Sequence, residues 1–234
     1  LVCPSKVADA KMKMYNLDGS EGKMCGNGIR CVGKFLYDHG MVDINEKDEI
    51  TIETLSGIKK LKAYTSGGKV NRLRVDMGKA ILEPKEIPVV LDGDKVVDRP
   101  VEIAGKNYNI TCVSMGNPHC VVFMDDIDNL DIETVGPEFE NDKLFPERVN
   151  TEFVTVLDDH TIKMRVWERG SGETWACGTG ACAVAVAACE NGFCKKGEDI
   201  KIKLKGGDLI INYTDETVYM TGNAEKVFEG EVEV

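Results

Sequence analysis

Apolar and polar positions alternate from Lys11 to Tyr15, and they alternate again from Thr161 to Trp167. A period of two predicts a strand with one buried face. Each stretch runs into a polar loop containing glycine, then into Cys-Gly-x-Gly, then into a segment of helical character. The first helix is predicted over about Gly28 to Asp38, ending at His39-Gly40; the second spans GACAVAVAACEN (180–191) and ends at Asn191-Gly192. Glycine just past the last turn commonly stops a helix. The second helix is apolar almost all round, which predicts burial inside its lobe. Further strand-like segments are ILEPKEIPVV (81–90), YNITCV (108–113), HCVVFMDD (119–126), EFVTVL (152–157) and KVFEGEVEV (226–234).

These are two copies of one pattern. KMKMYNLDGSEGKMCGNGIRC (11–31) and KMRVWERGSGETWACGTGACA (163–183) align without a gap under a shift of 152 positions, which pairs Cys25 with Cys177, Gly26 with Gly178, Gly28 with Gly180 and Glu21 with Glu173. DEITIETLSG (48–57) resembles EDIKIKLKGG (198–207), and RVDMG (74–78) resembles YMTG (219–222). The duplication predicts an α+β fold of two homologous lobes related by pseudo-twofold symmetry, each a mostly antiparallel sheet wrapped around a central helix. The expected boundaries are 1–78 plus a returning terminal strand 223–234 for one lobe, and 79–222 for the other. Only 24 residues precede Cys25, whereas 68 positions separate Asn109 from Cys177. By symmetry about 40 residues are expected to be missing from the start of the first lobe.

Composition narrows the function. With 234 residues, 42% hydrophobic and 29% charged, the chain reads as globular and soluble. A net charge of −11 argues against nucleic acid as a partner, because phosphate contacts need a basic surface. No apolar run approaches the roughly 20 residues that span a bilayer, and nothing at the start resembles an export signal, so a cytoplasmic setting is expected. The nine cysteines do not pair at zinc-ligand spacings: Cys25 and Cys31, Cys177 and Cys182, and Cys189 and Cys194 are too far apart. No metal is expected, and most cysteines read as small buried hydrophobes.

Cys25 and Cys177 depart from that reading because each directly precedes a helix, with glycines on the helix side. The first N–H groups of a helix lack internal partners and carry part of its dipole. A thiol placed there is expected to have a lowered pKa, and the bare N–H groups can bind a carboxylate. Two such units are expected to set two thiols on opposite sides of one cleft. One thiolate would remove an α-proton while the other thiol protonates the opposite face. The remaining cysteines, Cys31 and Cys182 within the helices among them, read as packing, and His39 and His160 as surface residues.

MCGNGIRC (24–31), GNPHCV (116–121) and WERGSGETWACGTGACA (167–183) together resemble the diaminopimelate epimerase family, and the likeness covers essentially the whole chain. The resemblance implies interconversion of LL- and meso-diaminopimelate in lysine and cell-wall precursor synthesis, without pyridoxal phosphate or any other cofactor. It implies Cys25 and Cys177 as proton acceptor and donor. Gly26, Asn27, Gly178 and Thr179 would hold the α-carboxylate of the reacting centre. His119 and Glu168 would set the protonation of the thiols, and Asn16, Asn117, Asn150 and Arg169 would hold the distal head of the substrate. Arg suits that task because its planar fork grips a carboxylate in two places. The expected partner is the amino acid substrate, with a homodimer left open. Proline and hydroxyproline racemases share the two-cysteine logic but typically place histidine where this chain has Asn27. An inactive binding relative and a thiol redox protein are rival readings, the redox one weakened by the lack of a C-x-x-C pair at either cysteine.

Overall fold

The alternating stretches fold as strands, and the segments after each Cys-Gly-x-Gly fold as helices of equal length, 13 residues each. A computed structural model describes residues 1–15, 19, 21–44 and 49–231. It divides into two units, Leu1–Val75 with Thr221–Val234, and Asp76–Met220.

In the first unit the elements are β1 (Val2–Cys3), β2 (Ala10–Met12), β3 (Met14–Tyr15), β4 (Glu21–Gly22), α1 (Gly26–Asp38), β5 (Ile50–Thr54), β6 (Gly57–Ser66) and β7, which runs Lys69–Gly78. The sheet order is β1-β2-β5-β6-β7, and β3 and β4 form a separate ribbon. Strands β2 and β5 pair in parallel, whereas β1 with β2, β3 with β4, β5 with β6 and β6 with β7 are antiparallel. Helix α1 buries Ile29, Val32 and Leu36, while Ile50, Ile52, Leu61 and Leu73 supply buried positions from the sheet. Gly33 allows the close approach of helix and sheet: a Cβ there would stand 2.6 Å from Leu73 Cδ2 and 2.9 Å from Leu61 Cδ2.

The second unit contains β8 (Arg99–Ile103), β9 (Lys106–Ser114), β10 (Pro118–Phe123), α2 (Ile132–Glu140), β11 (Asn150–Asp158), β12 (Thr161–Glu168), β13 (Gly172–Thr174), α3 (Gly178–Glu190), β14 (Asp199–Leu204) and β15 (Gly207–Tyr213); β16 follows at Val218–Asn223. Its order is β15-β14-β12-β11-β10-β9-β8, with β13 attached to β12. Helix α3 meets strands β9, β10, β11, β14 and β15. Ten of its 13 residues are buried, as its apolar circumference predicts. A second core gathers Phe139, Phe145, Phe153 and Trp167 beside α2.

The repeat holds at the level of hydrogen-bond register. Met14 pairs with Gly22 and Tyr15 with Glu21; 152 positions on, Val166 pairs with Thr174 and Trp167 with Glu173. The parallel pairing of β2 with β5 is matched by that of β12 with β14. Both helices are followed by a left-handed glycine, Gly40 at φ 66° and Gly192 at φ 79°.

Two expected strands are corrected. Segment 81–90 makes one bridge, Ile81 with Ser114, and then a short 3-10 helix at Pro84–Glu86. Pro84 and Pro88 have no N–H to give a ladder, so the segment buries Ile87 and Val89 in the second core without extending the sheet. Residues 224–231 are likewise not a strand. Ala224 N donates to Asn71 O at 3.3 Å, but Val227 and Phe228 beyond it are 89% and 83% exposed, so apolar burial does not anchor them to a sheet.

Candidate functional site

Each of the two cysteines is the N-cap of its helix. The extended backbone of Cys25 leads into α1, and its Sγ accepts the N–H of Gly28 at 3.3 Å; Cys177 leads into α3, and its Sγ accepts the N–H of Gly180 at 3.4 Å. The first intrahelical bonds match as well, Ile29 N to Cys25 O and Ala181 N to Cys177 O, both at 2.9 Å. Sulfur here does what a serine or aspartate oxygen usually does at an N-cap. Gly26, Asn27, Gly178 and Thr179 therefore occupy the first turns, where backbone N–H groups have no helical acceptor.

In the first unit Arg30 organises that turn. Its Nη1 donates to Gly26 O at 3.1 Å, its Nη2 to Asn27 Oδ1 at 3.1 Å, and its Nε to Asn223 O at 3.3 Å. Asn16 lies outside the described residues.

In the second unit Cys177 is 5% exposed and begins a continuous chain of polar contacts. Its Sγ lies 3.5 Å from Thr179 Oγ1, which accepts from Asn117 Nδ2 at 3.3 Å. Asn117 Oδ1 lies 3.1 Å from His119 Nε2, and His119 Nδ1 lies 2.7 Å from Glu152 Oε1. An amide oxygen only accepts, so with this Asn117 orientation Nε2 carries a proton. His119 and Glu152 are both fully buried. Burial pushes the Glu152 carboxyl above its usual range, and the His119 imidazole opposes that shift. The chain closes on itself: a Cβ on Gly180 would stand 2.5 Å from Glu152 Oε1, so the carboxylate fills the space beside the first turn of α3.

The expected lowering of the thiol pKa does not hold at Cys177. Burial pushes this thiol well above its ordinary value, and the Glu168 and Glu152 carboxylates push the same way. The Thr179 hydroxyl and the Gly180 N–H pull it down without offsetting burial. Among the other cysteines, Cys112, Cys120, Cys182 and Cys194 are buried as expected, whereas Cys31 is exposed despite its helical position. His39 and His160 are exposed.

A second cluster adjoins the first through β10. Asn150 Nδ2 donates to Pro118 O at 2.7 Å, and Asn150 Oδ1 accepts the backbone N–H of Arg169 at 3.1 Å. Arg169 Nη1 donates to Glu147 O at 2.8 Å, and Glu168 Oε1 accepts from Thr174 Oγ1 at 2.5 Å. Asn117 thus sits with the thiol chain, while Asn150 and Arg169 sit together. Glu152, beside His119, and Glu140, which accepts from Trp167 Nε1 and the Gly170 N–H, are both buried and carried no motif. For Glu152 a signal existed: it is a carboxylate inside a strand-like run of otherwise apolar and small residues. Among the described residues no group of three or more His, Cys, Asp or Glu is arranged to hold a metal, and no helix is long and apolar enough to cross a membrane.

A family model described as diaminopimelate epimerase matches residues 1–83 and 111–227. A diaminopimelate epimerase of Acetivibrio thermocellus is 53% identical over 236 residues, covering 100% of this chain and 82% of that protein. One from Agathobacter rectalis is 52% identical over 240 residues, covering 99% and 82%. Among solved structures, a probable proline racemase from Agrobacterium radiobacter K84 superposes with a TM-score of 0.71 at 17% identity, over 95% of this chain and 72% of that one. At that identity the likeness speaks to the fold, a mostly-sheet α+β architecture. Match over nearly the whole length, at more than half identity, places this chain in the diaminopimelate epimerase family.

Proposed function

We propose that this chain inverts one α-carbon of diaminopimelate, interconverting the LL and meso forms with two thiols and without pyridoxal phosphate, in lysine and cell-wall precursor synthesis. The observation that carries the reading is the duplicated cap: two cysteines, each accepting the N–H of the residue three positions on, at the start of a 13-residue helix. The α-proton of an amino acid is weakly acidic, so its removal requires that charge building on the carboxylate be held. Backbone N–H groups at Gly26, Asn27, Gly178 and Thr179 are suited to that task. One cysteine, as thiolate, takes the α-proton; the other, as thiol, gives a proton to the opposite face. In the reverse direction the roles exchange.

Cys177 suits the donor role in the resting protein, because burial and two carboxylates favour its protonated form. Cys25, which is less buried, suits the acceptor role. His119 and Glu168 modulate the Cys177 end. Arg169 grips the distal carboxylate, with Asn16, Asn117 and Asn150 completing the distal head. In deuterium oxide, LL-diaminopimelate is expected to acquire deuterium at its α-carbon as it converts to the meso form. Cys25→Ala and Cys177→Ala are each expected to lose epimerisation, in both directions, by roughly 10²–10⁴-fold, the usual worth of a positioned acid or base. Wild-type protein that washes in no deuterium, or a variant that still epimerises at the wild-type rate, would refute the reading.

A further inference from the structure

Helix α2 ends in a buried carboxylate that the two-thiol chemistry does not use. Glu140, 5% exposed, accepts three N–H groups: Trp167 Nε1 at 2.7 Å, Gly170 N at 2.8 Å and Arg148 Nη1 at 3.0 Å. Each donor flanks a residue of the Arg169 cluster. Trp167 precedes Glu168, Gly170 follows Arg169, and Arg148 lies two residues before Asn150. Backbone strain gathers at the same place. Arg148 sits at φ 61°, a left-handed conformation that costs a residue with a Cβ, whereas Gly170 takes φ 76° without that cost. Strain of this kind persists only where the surroundings hold it. Two groups bear on it: Phe145 O accepts the Arg148 backbone N–H at 2.8 Å, and Glu140 bonds the side chain of Arg148 and the backbone N–H of Gly170 with the same oxygen. Helix α2 is also pressed onto the tryptophan: a Cβ on Gly136 would stand 2.3 Å from Trp167 Cδ2.

We propose that Glu140 is a positioning residue for substrate binding. By fixing Trp167, Gly170 and Arg148 on one carboxylate, it locks the turn that carries Arg169 and so presets the guanidinium for the distal carboxylate of the substrate. The inference rests on the proposed grip of Arg169 on that carboxylate. Charge matters as well as shape. A carboxylate has about four acceptor sites on two oxygens, whereas an amide turns its NH₂ towards at least one of the three donors. Glu140→Gln therefore keeps the volume and loses part of the lock. Because the effect acts through distal-head binding and not through the thiols, it falls on KM more than on kcat.

The test is steady-state epimerisation of LL-diaminopimelate by wild type, Glu140→Gln, Arg169→Ala and the double variant, with iodoacetamide alkylation of Cys177 measured alongside. KM is expected to rise roughly tenfold or more in Glu140→Gln, with kcat changed about threefold or less and Cys177 alkylated at the wild-type rate. The double variant is expected to be no worse than Arg169→Ala alone, since the two residues act in series. Trp167→Phe removes one of the three donors and keeps a large ring in place. It is expected to raise KM in the same direction by a smaller factor, and it decides the matter should Glu140→Gln fail to fold. An unchanged KM in the folded variants, or losses that simply multiply in the double variant, overturns the role of Glu140. If Arg169→Ala itself leaves KM unchanged, the reading of Arg169 falls and this inference falls with it.

Discussion

A buried carboxylate beside an imidazole ties stability to pH in a direction that can be worked out. Glu152 has its pKa raised on folding, mainly by burial. The folded protein therefore binds more protons than the unfolded chain over the interval between the ordinary glutamate value and the raised one. Stability is full below that interval and declines as pH climbs through it. Glu152→Gln cannot titrate, so its urea midpoint is expected to lose this decline even if its absolute stability drops. Denaturation curves taken between about pH 4 and pH 8 check the point, and parallel pH profiles for variant and wild type would count against it. The same residue shows where sequence reading stops. His119 and the two cysteines stood in recognisable motifs, whereas Glu152 and Glu140 are single acidic residues whose partners are 33 positions away (His119, for Glu152) and 27, 30 and 8 positions away (Trp167, Gly170 and Arg148, for Glu140). Such partnerships exist only once strands and helix are packed.

Among the elements, the Cys-capped helices were legible to within two residues at their starts, because caps and stop glycines are local signals. The strands of the duplicated core were legible for the same reason. The segments 81–90 and 224–231 were not, since alternation predicts extended backbone but says nothing about a free edge with which to pair. Helix α1 gives an element-level prediction. Leu61 and Leu73 are fully buried and leave no space at Gly33, so Gly33→Ala must displace one of them. The expected cost is about 1–3 kcal/mol, read as a lowered urea midpoint. A midpoint equal to that of wild type would mean that helix and sheet pack less closely than described. Gly40 makes a contrast, for its Cβ would meet nothing within 4 Å and it is required by its left-handed φ instead.

Taken as one molecule, the chain carries nine free cysteines, and among the described residues only Cys25 and Cys177 of these cap a helix. Burial pushes Cys189 up to about 12 and Cys194 to about 11, as it also raises Cys177, so it is the helix-capping position and not the thiol pKa that sets Cys177 apart. The central claim is a division of labour, one thiol for each face of the α-carbon. Serine is the replacement that isolates it. A serine hydroxyl caps a helix as well as sulfur does, so the fold is kept, but it is a far weaker acid. On this claim the cysteine left in place still removes a proton, and a diaminopimelate analogue bearing a leaving group next to its α-carbon would report that step by elimination. The decisive measurement is the rate of elimination by Cys25→Ser and by Cys177→Ser from each stereoisomer of such an analogue. The account predicts that each variant retains elimination with one stereoisomer, and that the two variants retain it with opposite ones. Retention with the same stereoisomer by both variants would contradict it.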